Sequence, residues 1–323
     1  MGKRLPLSIG CIEPLSIARP VRYEKLALVC EGGGQRGIFT AGVLDEFLGD
    51  NYYPFDLILG TSAGAQNASA YVLNQAGYAR NVITRFTTQK RFFSPVSFAT
   101  GGHMLNLDWL MDSVAQIYPL ALDRAQARLQ DREFLMCASR YDDFQPVYMS
   151  ASADNWHDAM KASSAIPGLY RNGVDVGGVR YWDGGVSAAI PVEEAYRRGA
   201  DLIVVIRTVP SEPYYTSEWL SRFSKWLSHS KFHHMAQMVE HHEHCYKQTQ
   251  HFLLNPPDKL RIIEIFPPHT LASKTLGSNQ TELDHDYWIG RHCGRYFLSA
   301  VAPWLKHAEV ARTRPQSGLT QLT

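Results

Sequence analysis

Ser62 stands in Gly60-Thr61-Ser62-Ala63-Gly64, a Gly-x-Ser-x-Gly pattern that directly follows the apolar run Phe55-Asp56-Leu57-Ile58-Leu59. An apolar stretch over Ala65–Leu73 comes next and reads as a helix. A sharp strand-to-helix turn lifts a serine hydroxyl clear of a sheet. Only small flanking residues, here Gly60 and Gly64, fit such a turn, because a Cβ there would clash. An ordinary Gly/Ser turn shares the pattern, but a strand before it and a helix after it favour a nucleophile.

Acyl transfer at a serine also needs donors for the developing oxyanion and a base. Gly32-Gly33-Gly34-Gln35-Arg36-Gly37 ends a short apolar strand, Lys25–Cys30, and opens a helix over Ile38–Leu48. Backbone N–H groups left bare at the positive end of a helix suit an oxyanion, and glycines let it approach closely. Arg36 adds a fixed positive charge, placed to meet a phosphate or to stabilise the glycine loop. The same stretch fits the dinucleotide fingerprint G-x-G-x-x-G, with Asp56 at about the right distance for a ribose contact. That fingerprint wants its acid at the end of the second strand, whereas Asp56 begins the strand and the serine elbow ends it.

Two bases compete. With 13 histidines in the chain, a Ser-acid-His triad using His269 or His285 stays open. Asp183, in Trp182-Asp183-Gly184-Gly185, is the simpler partner, since a carboxylate on a glycine turn can approach a serine hydroxyl directly. A plain Asp-Gly turn is the alternative for Asp183.

The elements that must position these residues alternate along the chain. Lys25–Cys30, the helix at Ile38–Leu48 and the strand at Asp56–Leu59 form a βαβ unit with parallel strands. Residues 78–130 read as mostly helical, and Glu133–Ser139 with Pro146–Ser150 as a β-hairpin. Asp154 is expected to cap a helix running to Ala162. A glycine-rich region spans Gly168–Gly185. A helix at Val192–Arg198 and a strand at Asp201–Ile206 follow, then a long helical region at Glu218–Leu254 stopped by Pro256-Pro257. A strand at Leu260–Phe266 and a helix at Asp284–Leu305 complete the order.

At 323 residues, 45% hydrophobic and 20% charged, the chain has the composition of an ordinary globular protein. A net charge of +1 gives no reason to expect a nucleic-acid partner. Five cysteines without a C-x-x-C pair favour reduced thiols and a cytoplasmic setting. No secretory signal and no membrane-spanning run is evident, so contact with lipid is expected to be peripheral.

Gly32–Gly37, Gly60–Gly64, Ala162-Ser163-Ser164-Ala165-Ile166-Pro167 and Asp183-Gly184-Gly185 together resemble the patatin-like phospholipases, in that family's order and across residues 25–210. The resemblance implies a three-layer α/β fold, a central mainly parallel sheet with helices on both faces. It also implies hydrolysis of acyl lipids such as (lyso)phospholipids by a Ser–Asp dyad, without histidine, metal or cofactor. Carried over by position, Ser62 is the nucleophile and Asp183 the proton acceptor. Gly32, Gly33, Gly34, Arg36 and Gly37, chiefly Gly33 and Gly34, form the oxyanion hole, and Gly60 and Gly64 the elbow. The implied organisation is an irregular leader at 1–24, a catalytic domain at 25–270, and a C-terminal helical extension with a frayed tail at 271–323. A carboxylesterase or thioesterase for small acyl substrates, and an idle lipid-binding module, are the competing functions.

Two segments fall outside those motifs. His229, His233, His234, His241, His242 and His244, with Cys245, suggest a metal site, but a polar helix face fits their spacing better. Trp219, Leu220, Phe223, Trp226 and Leu227 share one helical face, with Arg222, Lys225 and Lys231 nearby. They suit an interfacial helix or a cover over the core. Arg91-Phe92-Phe93-Ser94-Pro95 is a second candidate for a lid or acyl-chain entrance.

Overall fold

In the computed structural model, which describes residues 2–8, 20–211 and 233–308, the longest apolar runs become neighbouring strands. The strands are β1 (Lys3–Leu7), β2 (Val21–Tyr23), β3 (Leu26–Cys30), β4 (Leu57–Thr61), β5 (Glu133–Arg140), β6 (Pro146–Ser150), β7 (Val174–Val176), β8 (Val179–Asp183), β9 (Leu202–Ile206), β10 (Arg261–Ile265) and β11 (Leu305–His307). The helices are α1 (Gly37–Gly49), α2 (Ala63–Val72), α3 (Tyr78–Arg85), α4 (Pro95–Ala99), α5 (Leu107–Ile117), α6 (Ala125–Leu129), α7 (Trp156–Ser163), α8 (Val192–Arg197), α9 (His233–Leu254) and α10 (Gln280–Ala300).

Among the described residues the main sheet runs β1-β10-β9-β3-β4-β5-β8-β7, with β6 also on β5. From β1 to β5 every pairing is parallel, and β6, β7 and β8 join antiparallel. Strands buried on both faces read as unbroken apolar runs, which is why LALVC, LILGT and LIVVI stand out in the sequence. Their alternation splits the core in two. Leu26, Leu28, Ile58, Val204 and Ile263 pack with residues of α1, α2 and α10. Ala27, Val29, Leu59, Val205 and Ile262 pack with residues of α8 and α9. The result is the expected three layers. No described helix is long and apolar enough to cross a membrane.

Several expectations need correction. The segment at 1–24 is not irregular throughout: β1 pairs in register with β10, Lys3 opposite Arg261 and Leu7 opposite Ile265. β2 pairs with β11, a short strand that begins at Leu305, where the last helix was expected to end, and the expected frayed tail lies outside the described residues. The glycine-rich region holds the β7–β8 hairpin, turned through Gly177 and Gly178 at φ 62° and 82°. The cap position of α7 is Asn155 rather than Asp154, with no side-chain cap bond. Helix α10 starts at Gln280, ahead of the expected Asp284, because Asn279 and Glu282 form a capping box. The Trp219–Leu227 face and His229 lie outside the described residues, as do the side chains of His233 and His234.

Candidate active site

Strand β5 sets the meeting point. Its Cys137 pairs with Thr61, the residue before Ser62, and its next residue, Ala138, pairs with Asp183. Two residues separated by 121 positions in sequence thus leave the sheet at adjacent rungs of one strand. Ser62 takes φ 53° and ψ −124°, a conformation that a non-glycine residue holds only under surrounding constraint. The constraint is visible. A Cβ on Gly60 would lie 2.6 Å from Ala65 Cα, and one on Gly64 would run into the Cys30 carbonyl. The Ser62 N–H donates to Ser163 Oγ at 2.9 Å, and Ser163 Oγ donates onward to the Cys137 carbonyl at 2.5 Å.

The Ser62 side chain faces the Asp183 carboxylate closely enough to lower the carboxyl pKa. The Gly185 N–H donates to the same group, at 2.7 Å from Asp183 Oδ1. Burial pushes the Asp183 pKa up to about 6, and Ser62 and the Gly185 N–H offset only part of that rise. A carboxylate with this proton affinity is matched to accepting a proton near neutral pH.

The glycine loop is narrower in its chemistry than its composition suggests. The Gly32 N–H is spent on the Ala189 carbonyl at 3.1 Å and the Arg36 N–H on Gly33 O at 3.3 Å. That of Gly37 turns back to the carbonyls of Gln35 and Gly34. Only Gly33 and Gly34, of the five expected residues, keep N–H groups without an acceptor among the described residues. Gly34 needs its glycine: φ is +58°, and a Cβ would strike the Thr275 carbonyl. The Arg36 side chain reaches back to Gly33 O with its Nε at 3.4 Å, so it stabilises the loop it follows.

A buried ionic cluster supports that loop and was not foreseen. Glu31, Arg207 and Glu264 are all nearly fully buried. Arg207 reaches Glu31 at 3.1 Å and Glu264 at 2.5 Å, and Tyr246 donates to Glu31 at 3.1 Å. Thr208 ties the cluster to the loop, its N–H 2.6 Å from Glu31 and its hydroxyl 3.0 Å from Gly32 O. The available signal was a lone charge at the end of, or within, each of three apolar runs, with opposite signs on neighbouring strands.

Ser62 borders two cavities that share Gly34, Ser62 and Ile166 in their linings. The first is apolar, walled by Val82, Ile83, Phe92, Leu110, Met160 and others. The second holds Asp183, Arg36, His242 and Tyr246. Neither is lined by His269 or His285, so the two late histidines of the triad reading stand apart from Ser62. His242 approaches from α9, but its Nδ1 meets the Gly185 carbonyl at 2.5 Å, and burial lowers its pKa. His241 pairs with Cys245 at 3.4 Å. Asp56, the ribose candidate, instead accepts the Leu26 N–H at 2.8 Å.

Residues 28–196 match the family model described as patatin-like phospholipase, and residues 232–306 match one described as a domain of unknown function. The chain is 54% identical to the uncharacterized protein YjjU of Escherichia coli, over 94% of this chain and 85% of that one. It is 27% identical to the lysophospholipase NTE1 of Debaryomyces hansenii over 59% of this chain, a match that spans 12% of that protein. Among solved structures, VipD from Legionella pneumophila aligns over 93% of this chain and 71% of that one, with a TM-score of 0.44 and 12% identity.

Proposed function

The chain belongs to the patatin-like phospholipase family, and on that premise we propose that it is a serine hydrolase of acyl lipids working through a Ser62–Asp183 dyad. The observation that carries this reading is the Ser62 side chain set against the buried Asp183 carboxylate, beside two glycine N–H groups without acceptors among the described residues and at the foot of an apolar cavity.

In the proposed cycle Ser62 Oγ attacks an ester carbonyl while Asp183 takes the hydroxyl proton. The N–H groups of Gly33 and Gly34 hold the tetrahedral oxyanion, each such donor being worth about 3 kcal/mol of barrier. The leaving alcohol takes the proton from Asp183, and the acyl-enzyme forms. Water, giving its proton to Asp183, then attacks the acyl carbon; the bond to Ser62 Oγ breaks, Oγ takes the proton from Asp183, and the carboxylic acid leaves. The acyl chain lies in the apolar cavity and the alcohol half in the cavity bearing Arg36, His242 and Tyr246. The substrates are (lyso)phospholipids or related acyl lipids. The thiols of Cys30, Cys137 and Cys245 support a cytoplasmic setting.

Labelling by a fluorophosphonate probe, lost in Ser62→Ala, tests the nucleophile. A panel of phospholipid, lysophospholipid and short-chain esters then tests the substrate. Turnover of short soluble esters alone would move the assignment to a carboxylesterase, and absence of labelling to an idle lipid-binding module.

A further inference from the structure

From Leu57 to Leu107 the chain carries no Asp or Glu, while Arg80, Arg85, Lys90 and Arg91 all fall within that span. Arg80 is paired with Asp284 at 2.8 Å. Arg85, Lys90 and Arg91 are exposed, and none has an ion-pair partner among the described residues. They lead into a segment that faces two ways. Phe93 bridges to Leu105, and the flanking bonds run from Ser94 N–H to Met104 O and from Asn106 N–H to Phe92 O. Extended backbone sends successive side chains to opposite sides. Phe92 is therefore buried and lines the apolar cavity, while Phe93 is 38% exposed.

Helix α4 follows at once, capped by Ser94 with Pro95 in its first turn, and it contains no buried residue. Its Val96 is 75% exposed. Phe98 is half-buried, held beneath the Arg171 guanidinium at 4.4 Å, which adds a further cation to the margin. The nearest acid along the chain, Asp108, is occupied by Lys161 and Tyr170. A five-residue helix gains little stability from its own hydrogen bonds. Apolar side chains held out to solvent, beside free cations and at a cavity wall, mark a surface made for something apolar and negatively charged.

We propose that the face formed by Arg85, Lys90, Arg91, Phe93, Pro95 and Val96 docks on a lipid surface bearing anionic head groups. Docking there brings the wall of the apolar cavity against the acyl layer. An acyl chain then enters without crossing water, a crossing that costs a factor of roughly four for every methylene exposed. The purpose of the docking rests on the acyl-hydrolase reading; the docking itself does not.

The test is flotation with vesicles of neutral phosphatidylcholine, alone or with one-third phosphatidylglycerol, in a Ser62→Ala background so that no lipid is consumed. The protein should float with the anionic vesicles and release in high salt. Each removed cation near an anionic surface weakens binding about fivefold, so Lys90→Gln with Arg91→Gln should weaken it about thirtyfold. Val96→Asp should weaken it more than tenfold. The same three substitutions with Ser62 intact should leave hydrolysis of a soluble short-chain ester unchanged, which also reports a native fold. No flotation, or flotation unaffected by these substitutions, overturns the proposal. So does loss of flotation confined to Trp219→Ala with Trp226→Ala, which would place the contact in the segment outside the described residues. If the wild type hydrolyses no ester, the functional reading fails while flotation still decides the docking.

Discussion

Replacing Asp183 by Asn should make the protein more stable and inactive at once, and the pH dependence of the stability gain can be worked out in advance. The carboxyl is enclosed, faced by Ser62 and bonded to the Gly185 N–H, and burial has raised its pKa from 3.8 to about 6. The folded chain therefore holds this proton more tightly than the unfolded chain does. Below about pH 4 the group is neutral in both states and costs nothing. Between about pH 4 and 6 the unfolded chain ionises first, and stability falls as pH rises. Above about pH 6 the full cost of the buried charge is in place. At about 1.4 kcal/mol for each tenfold change in proton affinity, that cost is about 3 kcal/mol. Asparagine has the same shape, keeps an oxygen for the Gly185 N–H and carries no charge at any pH. Asp183→Asn should thus gain up to about 3 kcal/mol at pH 8 and nothing at pH 4, a rise in Tm of about 5 °C at the higher pH. Thermal melts of both proteins across pH 4–8 measure this directly. Wild-type kcat/KM should climb with pH and reach half its plateau near pH 6, while the variant stays inactive throughout. A variant less stable than wild type at pH 8, or a stability gap that ignores pH, would refute the reasoning.

Other substitutions test the surrounding parts. Gly34→Ala puts a Cβ against the Thr275 carbonyl and displaces an oxyanion donor, so kcat should fall about 100- to 1000-fold, read by ester turnover with circular dichroism as the control. Arg207→Met leaves Glu31 and Glu264 buried without their shared partner, and urea unfolding should show a loss of about 3–5 kcal/mol. Ser163→Ala removes the acceptor for the Ser62 N–H and should lower kcat about tenfold with KM little changed, which steady-state kinetics would show. His242→Ala should retain ester hydrolysis within about tenfold, and complete loss in a folded variant would make His242 the base.

The fold was legible where strands are buried on both faces. β3, β4 and β9 are apolar runs with abrupt ends, and such runs announce themselves. β1 does not. Lys-Arg-Leu-Pro-Leu is half-exposed and carries a proline, which a sheet tolerates only where the missing N–H is not needed, as at an edge. Its partner lies some 258 positions away, so nothing nearby in the sequence marks it. The β7–β8 hairpin was a different case, because its signal was present. Gly177-Gly178 is a two-residue turn with both φ values positive, the kind that right-handed strand twist favours. The surrounding glycines hid it within the glycine-rich region Gly168–Gly185, to which no strand was assigned.

At the site, residue identity was easier to read than geometry. Ser62 and Asp183 each sit in a local pattern, but their meeting depends on the register of β5, which pairs Cys137 with Thr61 and Ala138 with Asp183. The glycine loop makes the same point in reverse. Five residues were candidates there, with Gly33 and Gly34 chief among them, and the N–H groups of the other three are consumed, one of them by Ala189 from a distant turn. A motif selects the residues that can do the chemistry. Which of them are free to do it follows from where the rest of the chain places its carbonyls, so Gly34→Ala should cost activity that no substitution at Gly32 can match through its N–H alone.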